Sequence, residues 1–231
     1  MTAAISPSRA DAIEFQGRKA QRADSRERRR AILEATLRIV VRDGIRGVRH
    51  RAIAKEANVP LAATTYYFKD IQELVSDAFN LFAQDSLKQT EELAETGFAA
   101  LDKLKGANLS DPQIFEVLVT ALTNAMINHI KSQIEDRDRR VIEHSFKTEA
   151  LRNPALARTA CIPQANITAS IMNFFKVLGS KEPEADAHIV HGVILFMEYQ
   201  LLLGEEIMAL EMAHKSLRRM IGQLLALAVK R

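Results

Sequence analysis

Residues 28–75 read RRRAILEATLRIVVRDGIRGVRHRAIAKEANVPLAATTYYFKDIQELV and hold two short helical patterns separated by a break. The first pattern covers residues 49–57 and the second covers residues 61–67. Asn58-Val59-Pro60 stands between them. Asn tolerates the left-handed conformation of a tight turn, and Pro fits a first helical turn. We therefore expect two short helices joined by a three-residue turn.

A longer helix is predicted directly before this pair. Ser25 belongs to the residue types that cap helix N-termini, and Asp43-Gly44 is a typical stop signal. Three helices in this order match the plan of a helix-turn-helix domain, whose second short helix enters the DNA major groove. The apolar stripe of the first helix has helical spacing and consists of Ile32, Leu33, Leu37, Ile39 and Val40.

The segment LAATTYYFK, residues 61–69, has the composition of a helix that faces DNA. Its small side chains let the backbone approach the groove, and threonine methyl groups can pack on thymine. The hydroxyls of Tyr66 and Tyr67 can bond phosphate oxygens. Alternatively, one tyrosine and Phe68 anchor a small three-helix core. We expect Phe68 to be core and at least one of the two tyrosines to face DNA.

Positive charge is concentrated near the N-terminus. Residues 18–51 carry twelve Lys and Arg against four Asp and Glu, whereas the whole chain has a formal net charge of only +3. The rest of the chain is therefore net acidic by five charges. Such asymmetry is typical of a module that binds a polyanion, joined to a body with another role. The alternative is a solvated basic helix without a partner.

The second half of the chain reads almost wholly as helix. Pro112, Pro154 and Pro183 each stand where a helix would begin. No segment alternates apolar and polar residues convincingly, so strands are not expected. We predict an all-α fold with about nine helices. Beyond the three described above, the expected helices cover residues 70–96, 111–133, 136–151, 154–178, 184–203 and 205–229.

Composition excludes several classes of protein. In 231 residues, 47% are hydrophobic and 26% charged, which is typical of a globular chain rather than a disordered one. A single cysteine, Cys161, rules out an intramolecular disulfide. The first thirty residues lack the apolar run of a secretory signal, and the most apolar stretch, residues 192–204, is too short to span a membrane. We expect a cytoplasmic protein without a membrane partner.

Residues 28–75 resemble the DNA-binding domain of the TetR family of transcriptional regulators. The remaining helices match that family in number, length and order. The resemblance implies an N-terminal three-helix domain that binds DNA and a larger helical domain that binds an effector and dimerises. The matching features are the first helix ending in Asp43-Gly44, the Ile53-Ala54 pair, the Ala57-x-Val59 turn, and Tyr67-Phe68 followed by Glu73-Leu74.

The chain also departs from the family's pattern. Arg49 and His50 stand where the family usually has Thr or Ser at the start of the second helix. Ile71 replaces the lysine common near the start of the fourth helix, and Lys69 is expected to take over its phosphate contact. Asn58 replaces the turn glycine, Ala62 the glycine of the recognition helix, and Thr65 a position often held by Tyr.

Together the residue types and the resemblance predict a DNA-binding surface. Arg49 and Lys69 are expected to contact phosphates, and Thr65 and Tyr66 to influence sequence preference. The full predicted set is Arg49, His50, Leu61, Ala62, Thr64, Thr65, Tyr66, Tyr67 and Lys69.

The middle helices are expected to form the effector pocket that the resemblance implies. Apolar residues at helical spacing are equally typical of an ordinary core, and that alternative stays open. The candidate lining residues are Phe82, Phe115, Met126, His129, Phe146, Met172 and Phe175.

The last two helices are the candidates for dimerisation, because they carry more apolar surface than one partner face would cover. The TetR-family resemblance implies that this pair forms a four-helix bundle with the same pair of a second copy, across a two-fold axis. The alternative is an intrachain core. The candidate interface residues are Val190, Ile194, Met197, Leu201, Leu217, Ile221 and Leu224.

No catalytic or metal-binding site is predicted. His188 and His191 have a spacing that could share a metal, but we identify no third ligand and favour a packed or interfacial pair. Cys161 has no evident cationic neighbour to activate it. The chain has no glycine-rich phosphate loop and no nucleophile elbow. We expect neither enzymatic activity nor a cofactor.

These features predict a homodimeric, sequence-specific transcriptional regulator. We expect a repressor that a small, largely apolar effector of unknown identity releases from a palindromic double-stranded DNA operator. The alternatives are an effector-independent regulator or an activator, and a helical enzyme or small-molecule-binding protein with an incidental basic head. The predicted divisions are a mobile basic tail (residues 1–24), the DNA-binding domain (25–75) and the effector-binding and dimerisation domain (76–231).

Overall fold

The computed structural model describes residues 15–18, 22–102, 108–204 and 209–229; for residues 87–97, 100–102 and 155 it describes only the backbone. Over these ranges it contains nine α-helices, one short 3-10 helix at Ile45–Gly47, and no strand, as the sequence predicts. The α-helices are α1 (Ala23–Asp43), α2 (His50–Glu56), α3 (Leu61–Tyr67), α4 (Ile71–Asp102), α5 (Pro112–Glu135), α6 (Arg137–Ala150), α7 (Pro154–Leu178), α8 (Pro183–Leu203) and α9 (Leu210–Val229).

Local sequence signals account for most helix boundaries. Pro112, Pro154 and Pro183 are the first residues of α5, α7 and α8, where their missing N–H and fixed φ do no harm. Asp111 caps α5 by accepting hydrogen bonds from the backbone N–H groups of the next turn, at 2.8 and 3.4 Å. Gly44 ends α1 with a φ of 69°, a conformation that side chains disfavour.

The start of α1 differs from the prediction. Arg22 is the residue before the helix, and Ser25 lies inside its first turn rather than capping it. The hydroxyl of Ser25 is instead 2.8 Å from the hydroxyl of Tyr67. The Ser25 hydroxyl, which the sequence predicts to cap α1, therefore pairs with a side chain of α3 instead.

Two compact units divide the chain. One consists of Met1–Lys88 with Asp138–Pro163, and the other of Gln89–Arg137 with Gln164–Arg231. The unit that contains the helix-turn-helix therefore also includes α6, which the sequence does not indicate. The assignment of separate DNA-binding and effector-binding roles to residues 25–75 and 76–231 stays a prediction.

The core of the first unit is built on aromatic residues. Phe68 is fully buried, as predicted, among residues of α1, α2 and α4. Phe79 of α4 stacks on Phe146 of α6, with ring centroids 4.5 Å apart. Phe82 belongs to the same core. Phe82 and Phe146 therefore pack in the first unit, and their expected place in an effector pocket stays a prediction.

The core of the second unit lies between α5, α8 and α9. Leu118, Leu122 and Ile130 of α5 are buried there against the apolar faces of α8 and α9. In the part of the chain that the structure describes, no helix is both long enough and apolar enough to cross a membrane.

Candidate nucleic-acid interface and ligand cavity

The turn between α2 and α3 is closed by backbone hydrogen bonds. The N–H of Val59 donates to the carbonyl of Ala54 at 2.9 Å, and the N–H of Ala57 donates to that of Ile53 at 2.8 Å. Asn58 has a φ of 51°, the left-handed conformation that the sequence predicts. The two short helices are therefore joined as the helix-turn-helix plan requires.

One face of α3 is open to solvent. Leu61 and Tyr66 are 45% and 54% exposed, and Ala62 and Thr65 are exposed beside them. These positions, with Lys69 after the helix, recur at the spacing of one helical face. Four of the predicted α3 contacts and Lys69 are thus available to a groove.

Thr64 faces inward instead. It is fully buried, its hydroxyl donates to the carbonyl of Leu61 at 2.8 Å, and its oxygen lies 3.0 Å from Nδ1 of His50. A fully buried hydroxyl cannot reach a base edge. The structure thus corrects the expected DNA contact of Thr64, which instead links α3 to the first residue of α2.

The two adjacent tyrosines are placed differently. Tyr67 is only 4% exposed, and its hydroxyl is engaged with Ser25. Tyr66 is the outward member of the pair, with its ring edge-on to Tyr67 at 5.0 Å. Tyr67 therefore supports the core, in agreement with the alternative stated for one tyrosine, and its expected DNA contact is corrected in the same way.

Two cations that the sequence assigns to phosphate contacts, Arg49 and Lys69, are exposed. Arg49 precedes α2, and Lys69 follows α3 with its backbone N–H donating to the Glu73 carboxylate. Glu56, the acidic residue at the end of α2, is held by Arg38 at 2.9 Å and Arg42 at 3.1 Å. Hydrogen bonds from these two arginines lower the pKa of Glu56. The pairing offsets a negative charge that would repel phosphate.

Residues 15–18, which the sequence assigned to a mobile tail, contact other residues of the first unit. The rest of that predicted tail, residues 1–14 and 19–21, lies outside the described residues. The backbone N–H groups of Gln16 and Gly17 donate to the Asp77 carboxylate at 2.7 and 2.9 Å, and Arg29 pairs with the same group. Burial raises the pKa of Asp77, although these donors oppose the rise. No local sequence pattern reveals this contact, because its partners are about sixty positions apart.

The second unit contains a cavity of about 80 Å³. Its lining is almost entirely apolar, with Ser170 as the polar exception among its thirteen residues. A ligand bound here would meet hydrocarbon and aromatic surface, and a bulky ligand would have to displace side chains. The residues around it include Phe98, Met126, Ile171, Phe174 and Phe175.

The sequence anticipated only part of this lining. Met126 and Phe175 line the cavity. Phe115, His129 and Met172 belong to the same unit but are not among the lining residues. His129 instead lies 3.4 Å from the carboxylate of Glu198. These three residues do not line this cavity, and their expected role in an effector pocket stays a prediction.

The predicted interface residues of α8 and α9 are buried within the chain. Val190, Ile194 and Ile221 line the cavity, and Met197, Leu201, Leu217 and Leu224 pack in the core of the second unit. Because these side chains are already covered, they are not a free surface for a second copy. The large apolar residues that these helices leave exposed are Ile189, Phe196, Tyr199, Leu203, Met212 and Leu227.

The histidine pair does not form a metal site with a third ligand. His188 is exposed and bonds the Glu184 carbonyl, whereas His191 is buried with Nδ1 2.8 Å from the Thr168 hydroxyl. Within the described ranges, no group of three or more His, Cys, Asp or Glu side chains could hold a metal ion.

Known proteins similar to this chain support a helix-turn-helix joined to a larger helical domain. The HTH-type transcriptional regulator PksA of Bacillus subtilis is 35% identical over 71 residues, which cover 31% of this chain; the match spans only about a third of PksA. Multidrug binding protein EbrR, in complex with ethidium, is 26% identical with a TM-score of 0.56, over 84% of this chain and 98% of that one. A member of the TetR family from Streptomyces coelicolor A3 is 26% identical with a TM-score of 0.50, over the same shares. No protein-family model matches the chain.

The chain is thus similar to TetR-family regulators in fold, and its helix-turn-helix is similar in sequence to that of a known regulator. The structure shows where the residues that depart from the TetR-family pattern lie. Arg49 caps α2 without a side-chain hydrogen bond and is exposed, and His50 is the partner of Thr64. Ile71 begins α4 half-buried, whereas Lys69 is exposed. The exposed cation therefore lies two positions earlier than the TetR-family pattern places it.

Proposed function

We propose that this chain is a homodimeric, sequence-specific DNA-binding regulator that represses transcription until a small apolar effector releases it. The observation that carries the proposal is the exposed face of α3, which ends at Lys69. Its side chains provide the methyl, hydroxyl and ring surface used to read a major groove. Lys69, just after α3, and Arg49, directly before α2, supply charge for phosphates.

A second copy is part of the proposal, because one helix-turn-helix reads too few base pairs for genomic specificity. The apolar residues left exposed on α8 and α9, among them Phe196 and Tyr199, are the surface best suited to bind it. Large exposed apolar side chains on two adjacent helices favour association with another apolar surface. A two-fold dimer predicts a palindromic operator.

The effector is proposed to be a neutral, apolar molecule bound in the cavity of the second unit. EbrR is described as multidrug binding and as complexed with ethidium, which supports a ligand-binding role for the corresponding domain of this chain. The lining residues described here include no acidic side chain. Because an unpaired buried charge is costly, the cavity favours neutral ligands over cationic ones.

Release requires the effector to bind the DNA-free form more tightly. A 100-fold loss of operator affinity corresponds to about 2.7 kcal/mol of coupling, and the same factor must weaken effector binding to the DNA-bound form. The coupling can therefore be measured either as the effect of effector on operator affinity or as the effect of operator on effector affinity.

The test begins with selection of genomic fragments by the purified protein at near-physiological salt, followed by footprinting of the enriched DNA. The proposal predicts a palindromic footprint. Neutral and cationic aromatic compounds are then compared for their ability to release the recovered duplex. Binding that depends on salt but shows no sequence preference, before and after refolding to remove bound ligand, would contradict the proposal.

A further inference from the structure

The segment at residues 15–18 ends beside the C-terminus of α3. The backbone N–H of Arg18 donates to the carbonyl of Tyr67 at 2.9 Å. This carbonyl belongs to the last turn of α3, where helix carbonyls lack partners within the helix. The segment thus satisfies an acceptor of the proposed recognition helix and holds Arg18 at its end.

Asp77 of α4 holds the residues just before Arg18. Its two carboxylate oxygens accept hydrogen bonds from successive backbone N–H groups, those of Gln16 and Gly17, and the buried carboxylate also pairs with Arg29. Gly17 is buried at this contact. A Cβ there would lie 2.8 Å from ring carbons of Phe68 and 2.9 Å from Asp77 Oδ2, so the contact requires glycine.

The Arg18 side chain extends over an exposed part of α3. Its guanidinium carbon lies 4.3 Å from the centroid of the Tyr66 ring, and both residues are exposed. A guanidinium stacked on a ring keeps its N–H donors at the edge of its plane, where they can bind phosphate oxygens. Arg18 thus adds an exposed charge to the face that carries Leu61, Thr65 and Tyr66.

We propose that residues 15–18 are part of the DNA-binding surface, and that Arg18 contacts a backbone phosphate beside the groove entered by α3. Tyr66 orients the guanidinium, and Asp77 and Gly17 are positioning residues. This inference rests on the proposed DNA-binding function. It adds a contact from outside the helix-turn-helix to the contacts expected from Arg49 and Lys69.

The test measures fluorescence anisotropy of labelled duplexes, the recovered operator and a scrambled sequence, over a series of salt concentrations. Arg18→Ala should weaken both duplexes by a similar factor, of roughly 5- to 20-fold near physiological salt. It should also reduce the slope of log affinity against log salt by about 1 per protomer bound. Arg152→Ala is the matched control, since Arg152 is an exposed arginine of the same unit far from α3 in sequence.

Two further variants separate the effect of the Arg18 charge from the effect of its position on α3. Arg18→Lys should keep the salt slope and lose only part of the affinity, because the charge stays while the planar stack on Tyr66 is lost. Gly17→Ala should displace Arg18 and reduce the slope while Arg18 is still present. Combined with Arg18→Ala, it should add little further loss, since both changes remove the same contact.

Each outcome supports or overturns the inference. If wild-type protein binds the operator but Arg18→Ala keeps the wild-type salt slope, as Arg152→Ala should, the inference fails and the proposed function stands. Tighter binding by Arg18→Ala would also overturn it, because the stacked arginine would then obstruct Tyr66. If the wild-type chain shows no sequence preference, the proposed function itself fails.

Discussion

The Thr64 hydroxyl lies 3.0 Å from Nδ1 of His50 and joins the proposed recognition helix to the helix before it. Thr64 is fully buried at this contact, whereas its neighbour Thr65 is exposed. Two adjacent threonines on one short helix therefore have separable roles. Thr64 links α3 to α2 inside the fold, whereas the side chain of Thr65 is open to solvent.

Thr64→Val is expected to destabilise the first unit by about 1–2 kcal/mol, because it removes the hydroxyl between His50 and the Leu61 carbonyl. Operator affinity should fall while the preferred sequence stays the same, since no base contact is lost. Thermal unfolding and binding to a panel of operator variants measure both effects. Thr65→Val is the matched control and should leave stability nearly unchanged while altering preference at one base position.

A pH effect is expected at Glu143 of α6. Burial opposes its ionisation, but the charges of Arg140 and Lys147 outweigh burial and lower the pKa of Glu143. A carboxyl whose pKa is lower in the folded state stabilises the fold above its unfolded pKa, and this contribution is lost as pH falls through the folded pKa. Glu143→Gln should therefore lower stability at neutral pH by about 1–3 kcal/mol and flatten the acid side of the stability curve.

Denaturant melts from pH 3 to pH 7 test this expectation. Glu211→Gln is the control, because its pair with Lys215 at 2.7 Å is exposed and should contribute little at any pH. An acid limb of equal slope in the Glu143→Gln and wild-type proteins would refute the assignment.

Phe196→Glu is expected to weaken dimerisation, because it puts a charge in the middle of the apolar surface left exposed on α8 and α9. Sedimentation should show a shift toward monomer at micromolar concentration, with loss of high-affinity operator binding. Leu151→Glu introduces the same charge at a residue that is 87% exposed in the other unit, and it should leave the assembly intact. A dimer of unchanged stability in Phe196→Glu would place the interface elsewhere.

Met126→Trp is expected to fill the cavity of the second unit. The variant should keep operator affinity but lose binding of a neutral fluorescent probe such as N-phenyl-1-naphthylamine, because the larger side chain occupies the space. Val117→Trp, at an exposed position of the same helix, should bind the probe as the wild type does. Equal probe binding by all three proteins would show that the probe binds outside this cavity.

Local signals predicted the helices well, because capping and chain-breaking residues act on their immediate neighbours. Prolines at three helix starts and the left-handed Asn58 illustrate this. The sequence also placed Phe68 in the core correctly. It could not separate Tyr66 from Tyr67, since adjacent helical residues point about 100° apart and the docking of the helix decides which of them faces the core.

The apolar faces of α8 show the same limit. The helix carries large apolar residues on several sides, so the pattern does not say which side the chain itself covers. The structure buries Val190, Ile194 and Met197 and exposes Phe196 and Tyr199. The sequence therefore indicated a helix with surplus apolar surface, but it assigned the wrong residues to that surplus.

The amino-acid sequence alone was sufficient for the all-α fold, the helix-turn-helix and the TetR-family resemblance, because these depend on patterns within a few residues of one another. Contacts between distant positions required the folded chain. Asp77 with Gly17, Thr64 with His50, and Phe79 with Phe146 are separated by 60, 14 and 67 positions, and no periodicity links them. Burial and side-chain pairing arise only when the helices pack, and they decide which α3 residues remain free to contact DNA.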